Sequence, residues 1–229
     1  MAVDIESIPI SEVDWQPAHR IVPSRFPPVG PWDRIATPAD FDALAELEGL
    51  TNPRLREDAA TLAQIPRDRW VTGNGTTPIM AAFAHLNPEG SRFSDGTFGV
   101  FYASKEIETA IKETVFHRER FLSRTREPAQ QVQMRCYATA IRCDLHDIRG
   151  GFAALHDPDN YAESSATAKI LRDRGANGIV YGSVRRPGGE CAAVFWPDRV
   201  APCVQTKHLA YNWNGTAIDT VLELTAIEI

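Results

Sequence analysis

The sequence predicts a single α+β domain. Three observations carry that reading. Short strand-like segments dominate the second half of the chain, a few amphipathic helices interrupt them, and no internal repeat or low-complexity tract breaks the pattern. A chain of 229 residues can bury one sizeable core with an appended part. Its hydrophobic fraction of 43% and charged fraction of 24% lie near globular averages, which sets disorder aside.

Residues 1–35 are Pro-rich ("RIVPSRFPPVGPW") and read as an irregular arm wrapped on a domain spanning 36–229. That domain opens with a helical part at 36–70. In "TPADFDALAELEGL", Thr37 can cap a helix, Pro38 suits its first position and Asp40 favours its positive end. "TNPRLREDAATLAQI" repeats the scheme with Asn52 and Pro53. "FGVFY" is a short β-prone run ending at Tyr102, and Ser104 stands as the cap of a helix over "EIETAIKETVFHRERF". "VQMRCYATAI" alternates, putting Val132, Met134, Cys136, Ala138 and Ala140 on one face. A third helix in "NYAESSATAKILRDRG" ends near Gly175 and enters the strand "GIVYGSV". "RRPGGE" turns into "CAAVFW", and Asn214-Gly215 predicts a closing hairpin.

Charge and motif spacing exclude several functions. The net charge is −6 without a Lys/Arg block, so direct nucleic-acid binding has no electrostatic footprint. Cys136, Cys143, Cys191 and Cys203 form no C-x-x-C pair, so zinc spacing is missing and free thiols of a cytoplasmic protein are expected. The stretch "MAVDIESIPISEVDW" has no apolar core of a signal peptide, and no run approaches the roughly 18 apolar residues of a membrane span. Neither a P-loop nor a strand-linked G-x-G-x-x-G occurs, and Ser183 does not sit in a G-x-S-x-G elbow. The residues call for no metal.

Four residues remain as a constellation. Arg92, on a turn before Asp95-Gly96, presents a planar fork that can clamp a phosphate or a ribose hydroxyl, or can simply be a surface arginine. Tyr102, at a strand end, can stack on a flat ring with its hydroxyl wet, or pack half-buried. On the helix, Ile107, Ile111, Thr114, Arg118 and Phe121 follow the 3.6 period as the main buried stripe. Glu106, Ala110, Glu113 and His117 form a separate stripe, either solvated or facing a ligand that the small Ala110 lets approach. Ser183 ends a strand before Arg185, Arg186 and a Gly-Gly turn, where it can line a pocket.

Together and in this order, "SRFSDGTFGVFYAS", "EIETAIKETVFHRERF" and "ANGIVYGSVRRPGGECAAVFWP" resemble the RES-domain family, over roughly residues 18 to 205. The upstream "TNPRLRE" is similar to its ParT-like branch. Phe93 and Ser94 stand where many members carry tryptophan and asparagine, and "FWPDR" replaces a common Asn-Pro step, which marks a distinct branch. The resemblance implies a fold similar to ADP-ribosyltransferases, a split, mostly antiparallel β core with flanking helices. It implies a toxin of a toxin–antitoxin pair that takes NAD+ as substrate, with Glu113, Arg92, Tyr102 and Ser183 as its catalytic positions. Arg92, Tyr102 and Ser183 would also bind the NAD+. The implied partners are an Xre-like helix-turn-helix antitoxin that blocks the active site, and a protein acceptor of ADP-ribose. For the branch, that acceptor is the nucleotide-synthesis enzyme phosphoribosyl pyrophosphate synthetase. A homo-oligomer or a toxin–antitoxin hetero-oligomer is expected.

Chemistry from the cleft leaves three acceptors open. Water would make a glycohydrolase, phosphate a phosphorylase, and a protein side chain an ADP-ribosyltransferase. A reading of another class, a non-catalytic binding protein with structural pocket residues, predicts no NAD+ loss at all.

Overall fold

A computed structural model describes residues 3–24, 33, 37, 61–225 and 227. The helices expected over 37–65 lie almost wholly outside the described residues. Among the described residues seven strands form one sheet: β1 (Ile10–Pro23), β2 (Phe101–Ser104), β3 (Gln130–Asp147), β4 (Gly178–Gly182), β5 (Glu190–Val194), β6 (Val204–Trp213) and β7 (Ile218–Leu224). The helices described in full are α1 (Thr77–Ala84), α2 (Ile107–Arg124) and α3 (Ala162–Asp173). The α+β class therefore holds, with a split and mostly antiparallel sheet flanked by helices.

The split lies in β3. One edge of this strand pairs with β1 along nearly its whole length, from Ile10↔His146 to Pro23↔Met134. The other edge is shared. Its first half pairs with β6, from Gln130↔Trp213 to Ala138↔Val204, while His146 and Asp147 run parallel to Ile179 and Val180 of β4. β1 in turn meets β2 at His19↔Ser104, so β1, β2, β5, β4 and β3 close on themselves. The β6–β7 hairpin extends the sheet, turning at Asn214-Gly215 as expected.

Segment 1–35 is thus not all irregular. It contains β1, a 14-residue strand. Pro17 hides that strand in the sequence, because a proline within a run argues against a paired strand. Here Pro17 falls where the register shifts between Trp15 and Ala18, so its missing N–H leaves no gap in the ladder.

The sheet buries two cores. Ile21, Met134, Cys136, Leu209 and Tyr211 form one with Ala110, and Ile107, Ile111 and Val115 of α2 pack on it. The larger core gathers Ile79, Met80 and Phe83 of α1, Phe93, Phe101, most of β4 and β5, and Ala168 and Leu171 of α3. β3 accordingly buries Met134 and Cys136 on one face, then Tyr137, Ile141 and Leu145 on the other. The changeover coincides with a register shift at Cys136/Tyr137. Strict alternation predicts a single buried face, so Ala138 and Ala140, expected inside, are only half-buried.

α2 follows its expected stripe for its first half. Ile107 and Ile111 face the core, and Thr114 shares a 2.7 Å hydrogen bond with the Tyr211 hydroxyl. The helix then leaves the sheet: Phe121 is 41% exposed and Arg118 lies over its ring, while Leu122 takes the buried place. The helix starts two residues later than the cap chemistry suggests. Glu106 is its N-cap, and Ser104 belongs to β2.

Candidate active site

A cleft opens where β1, β2 and β4 meet α2. Its lining includes His19 and Arg20 of β1, Ser91 and Arg92 of the preceding turn, Tyr102, Tyr181, and Ala110, Glu113 and His117 of α2. Its enclosed volume is about 140 Å³. That is room for one aromatic ring, since an engineered cavity of about 150 Å³ accepts benzene. Three of the four residues expected from the sequence share this wall, and the fourth stands behind it.

The fourth is Ser183, whose bonding is fully determined. Its Oγ accepts the backbone N–H groups of Arg185 (3.1 Å) and Arg186 (3.0 Å), and its O–H donates to Glu113 Oε1 at 2.6 Å. A hydroxyl has one donor and two acceptor positions, so nothing is left for a ligand. In this structure the serine fixes the Glu113 carboxylate rather than offering its hydroxyl to a ligand, and Oε2 has no hydrogen-bond partner among the described residues. The following turn is held on α2. A side chain at Gly189 would place Cβ 2.6 Å from Thr109 Oγ1, and Arg186 reaches the same hydroxyl at 3.0 Å.

Arg92 is not a surface arginine. It is 7% exposed, its guanidinium lies 4.5 Å from the centre of the Tyr161 ring, and one terminal nitrogen donates to the carbonyls of Leu155 (3.3 Å) and Asp157 (2.7 Å). Gly90 makes the turn possible, with φ +73° and only 2.6 Å between a notional Cβ and the Ser94 carbonyl oxygen. Of the two readings of Tyr102, half-buried packing is the one that fits: its hydroxyl accepts the Phe93 N–H at 3.0 Å and pairs with Ser91 Oγ at 2.7 Å. Burial pushes its pKa up to about 12, so it stays a neutral phenol that braces the Arg92 turn.

His117 shares the cleft wall with Glu113, one turn along α2, as the helical spacing indicates. Desolvation and then the charges of Arg185, Arg118 and Arg92 push its pKa down to about 4, although the residue as a whole is exposed. The imidazole is neutral at pH 7. Cys191, also on the wall, is pushed up to about 12 by burial and then by the Glu113 charge, so it supplies no thiolate. No group of three or more His, Cys, Asp or Glu side chains suited to a metal occurs among the described residues.

Sequence reasoning missed His19 and Arg20, because their segment reads as an arm. Arg20 donates to the Tyr102 carbonyl at 3.1 Å and lies 4.6 Å from the Phe101 ring centre, tying β1 to β2 under the cleft. It missed Tyr161 as well. No spacing in the chain links Arg92 with a ring 69 positions later.

The RES domain family model matches residues 61–214, about two thirds of the chain, and the chain belongs to that family. It is 32% identical over 206 residues to the uncharacterized protein y4oC of Sinorhizobium fredii (strain NBRC 101917 / NGR234), covering 87% of this chain and 84% of that protein. Among solved structures, the M. tuberculosis MbcT–MbcA toxin–antitoxin complex matches with a TM-score of 0.49 at 9% identity, over 92% of this chain and 90% of that one. That likeness is too distant to argue from.

Proposed function

We propose that the protein is an NAD+-consuming enzyme that cleaves the nicotinamide–ribose bond, acting as the toxin of a toxin–antitoxin pair. The observation that carries the reading is the 2.6 Å bond from Ser183 to Glu113, which fixes a carboxylate on the wall of a ring-sized cleft. Membership in the RES family supports the same chemistry.

Cleavage builds positive charge on the ribose in an oxocarbenium-like transition state. Glu113 Oε2 would face that charge, while Oε1 stays tied to Ser183. A carboxylate fixed before reaction stabilises the developing charge without first reorganising. Tyr102 and Tyr181 give the nicotinamide ring aromatic walls, and Arg92 holds the cleft floor closed. Neutral His117 adds no positive charge beside the oxocarbenium ion.

On our reading ADP-ribose passes to a protein acceptor, with phosphoribosyl pyrophosphate synthetase as the acceptor that the ParT-like branch implies. A cognate Xre-like antitoxin would neutralise the toxin by filling the cleft. Purified protein is incubated with NAD+, alone and with bacterial lysate, while nicotinamide release and labelled ADP-ribose on protein are followed. A labelled band that disappears in Glu113→Ala is the expected result. Nicotinamide release without labelling would replace the transferase by a glycohydrolase or phosphorylase. Silence in both settings would overturn the enzymatic reading.

A further inference from the structure

Two arginines follow Ser183, and the structure uses them differently. Arg186 is committed to α2, at 3.0 Å from Thr109 Oγ1 and 3.7 Å from Glu106 Oε2. Arg185 has no carboxylate partner among the described residues. Its guanidinium lies 3.3 Å from the centre of the Phe116 ring, and its terminal nitrogen donates to the Pro158 carbonyl. The stack on Phe116, which precedes His117 of the cleft wall on α2, sets the cation beside the cleft, outside the residues that line it. The depressed His117 pKa has Arg185 as its largest charge contribution, which fits the same placement.

The position suits one part of the substrate. A single ribose separates the scissile bond of a nicotinamide dinucleotide from its diphosphate. Arg185 N lies 3.1 Å from Ser183 Oγ, itself 2.6 Å from Glu113 Oε1, so the Arg185 side chain begins two hydrogen bonds from the carboxylate. Arg92 is the poorer candidate, because it is buried under Tyr161 and already donates to two carbonyls. A guanidinium binds phosphate oxygens in bidentate fashion and more strongly than it binds a neutral carbonyl. The Pro158 carbonyl thus holds the fork in place and can be exchanged for an oxyanion.

We propose that Arg185, stacked on Phe116, is the diphosphate-binding residue of this cleft; the proposal rests on the NAD+ reading above. It moves the anion-clamping role expected of Arg92, a lining residue, to one beside the cleft, and leaves Arg92 as a positioning residue.

The test is equilibrium binding of ADP-ribose, nicotinamide and inorganic phosphate to the full chain, by calorimetry, for wild type, Arg185→Gln and Arg185→Lys. The expected result is ADP-ribose affinity weakened about tenfold or more in Arg185→Gln and less in Arg185→Lys, with nicotinamide affinity unchanged. Raising salt should weaken ADP-ribose binding to wild type more than to Arg185→Gln. Equal ADP-ribose affinity in wild type and Arg185→Gln overturns the proposal, as does an Arg185 effect on inorganic phosphate alone. If Arg185→Gln fails to fold, Arg185→Lys with an intact melt and undiminished ADP-ribose affinity overturns it equally. NAD+ turnover by a protein whose ADP-ribose binding ignores Arg185 refutes this proposal while sparing the proposed function. A wild type that binds neither NAD+ nor ADP-ribose refutes both.

Discussion

Ser183 shows how a single hydroxyl can set the geometry of a site. Its one proton goes to Glu113 and its two lone pairs hold the turn that starts at Arg185. Ser183→Ala removes a hydrogen bond to a carboxylate that is worth about 1.5–3 kcal/mol. We expect kcat to fall roughly 10–100-fold with KM nearly unchanged, because a positioning loss is felt in the transition state. Steady-state nicotinamide release measures both constants. His117 gives a second prediction at this scale. Its folded pKa lies below that of the unfolded chain, so the unfolded state binds the proton more readily between pH 4 and 6.5. The contribution to stability is complete above the unfolded value and is lost as pH falls toward about 4. NMR titration should place the His117 midpoint near 4, and a midpoint near 6.5 would show that neither desolvation nor the neighbouring arginines act on it.

At the scale of elements, the Arg92 turn and α2 do most to shape the cleft. Gly90→Ala puts a Cβ into the Ser94 carbonyl and a side chain at φ +73°. The cost should be about 1–2 kcal/mol, read as a lowered melting temperature, with a raised KM as Arg92 shifts. Much of this level was legible beforehand. The three- and four-residue spacing of Ala110, Glu113 and His117 put them on one face, and the structure turns that face to the cleft. Gly175 ends α3 at φ +86°, and Asn214-Gly215 turns the last hairpin. Other parts were hidden for physical reasons. The partners of Arg92 lie on a loop more than sixty residues away, and the hydroxyl of Tyr102 is dry because a turn nine residues earlier folds onto it. The single buried face predicted for β3 fails because that strand serves two cores.

At the scale of the molecule, β1 is the strand that closes the sheet. It pairs along β3, reaches β2 through His19, and carries three residues of the cleft wall, His19, Arg20 and Ile21. Its proline concealed it, so neither the closure nor the β1 side of the cleft was legible in the sequence. Removing residues 1–24 should therefore leave a chain without a cooperative unfolding transition by circular dichroism, rather than a trimmed active domain. No helix among the described residues is long and apolar enough to cross a membrane. The proposed function is cleavage of a glycosidic bond by a carboxylate fixed from behind, through the Ser183–Glu113 hydrogen bond. The most direct measurement is nicotinamide release from NAD+ by wild type and Glu113→Gln, a substitution that keeps an acceptor for Ser183 and removes the charge. A kcat reduced roughly 10²–10³-fold with the fold intact is the predicted result. Full turnover by Glu113→Gln would contradict the account at its centre.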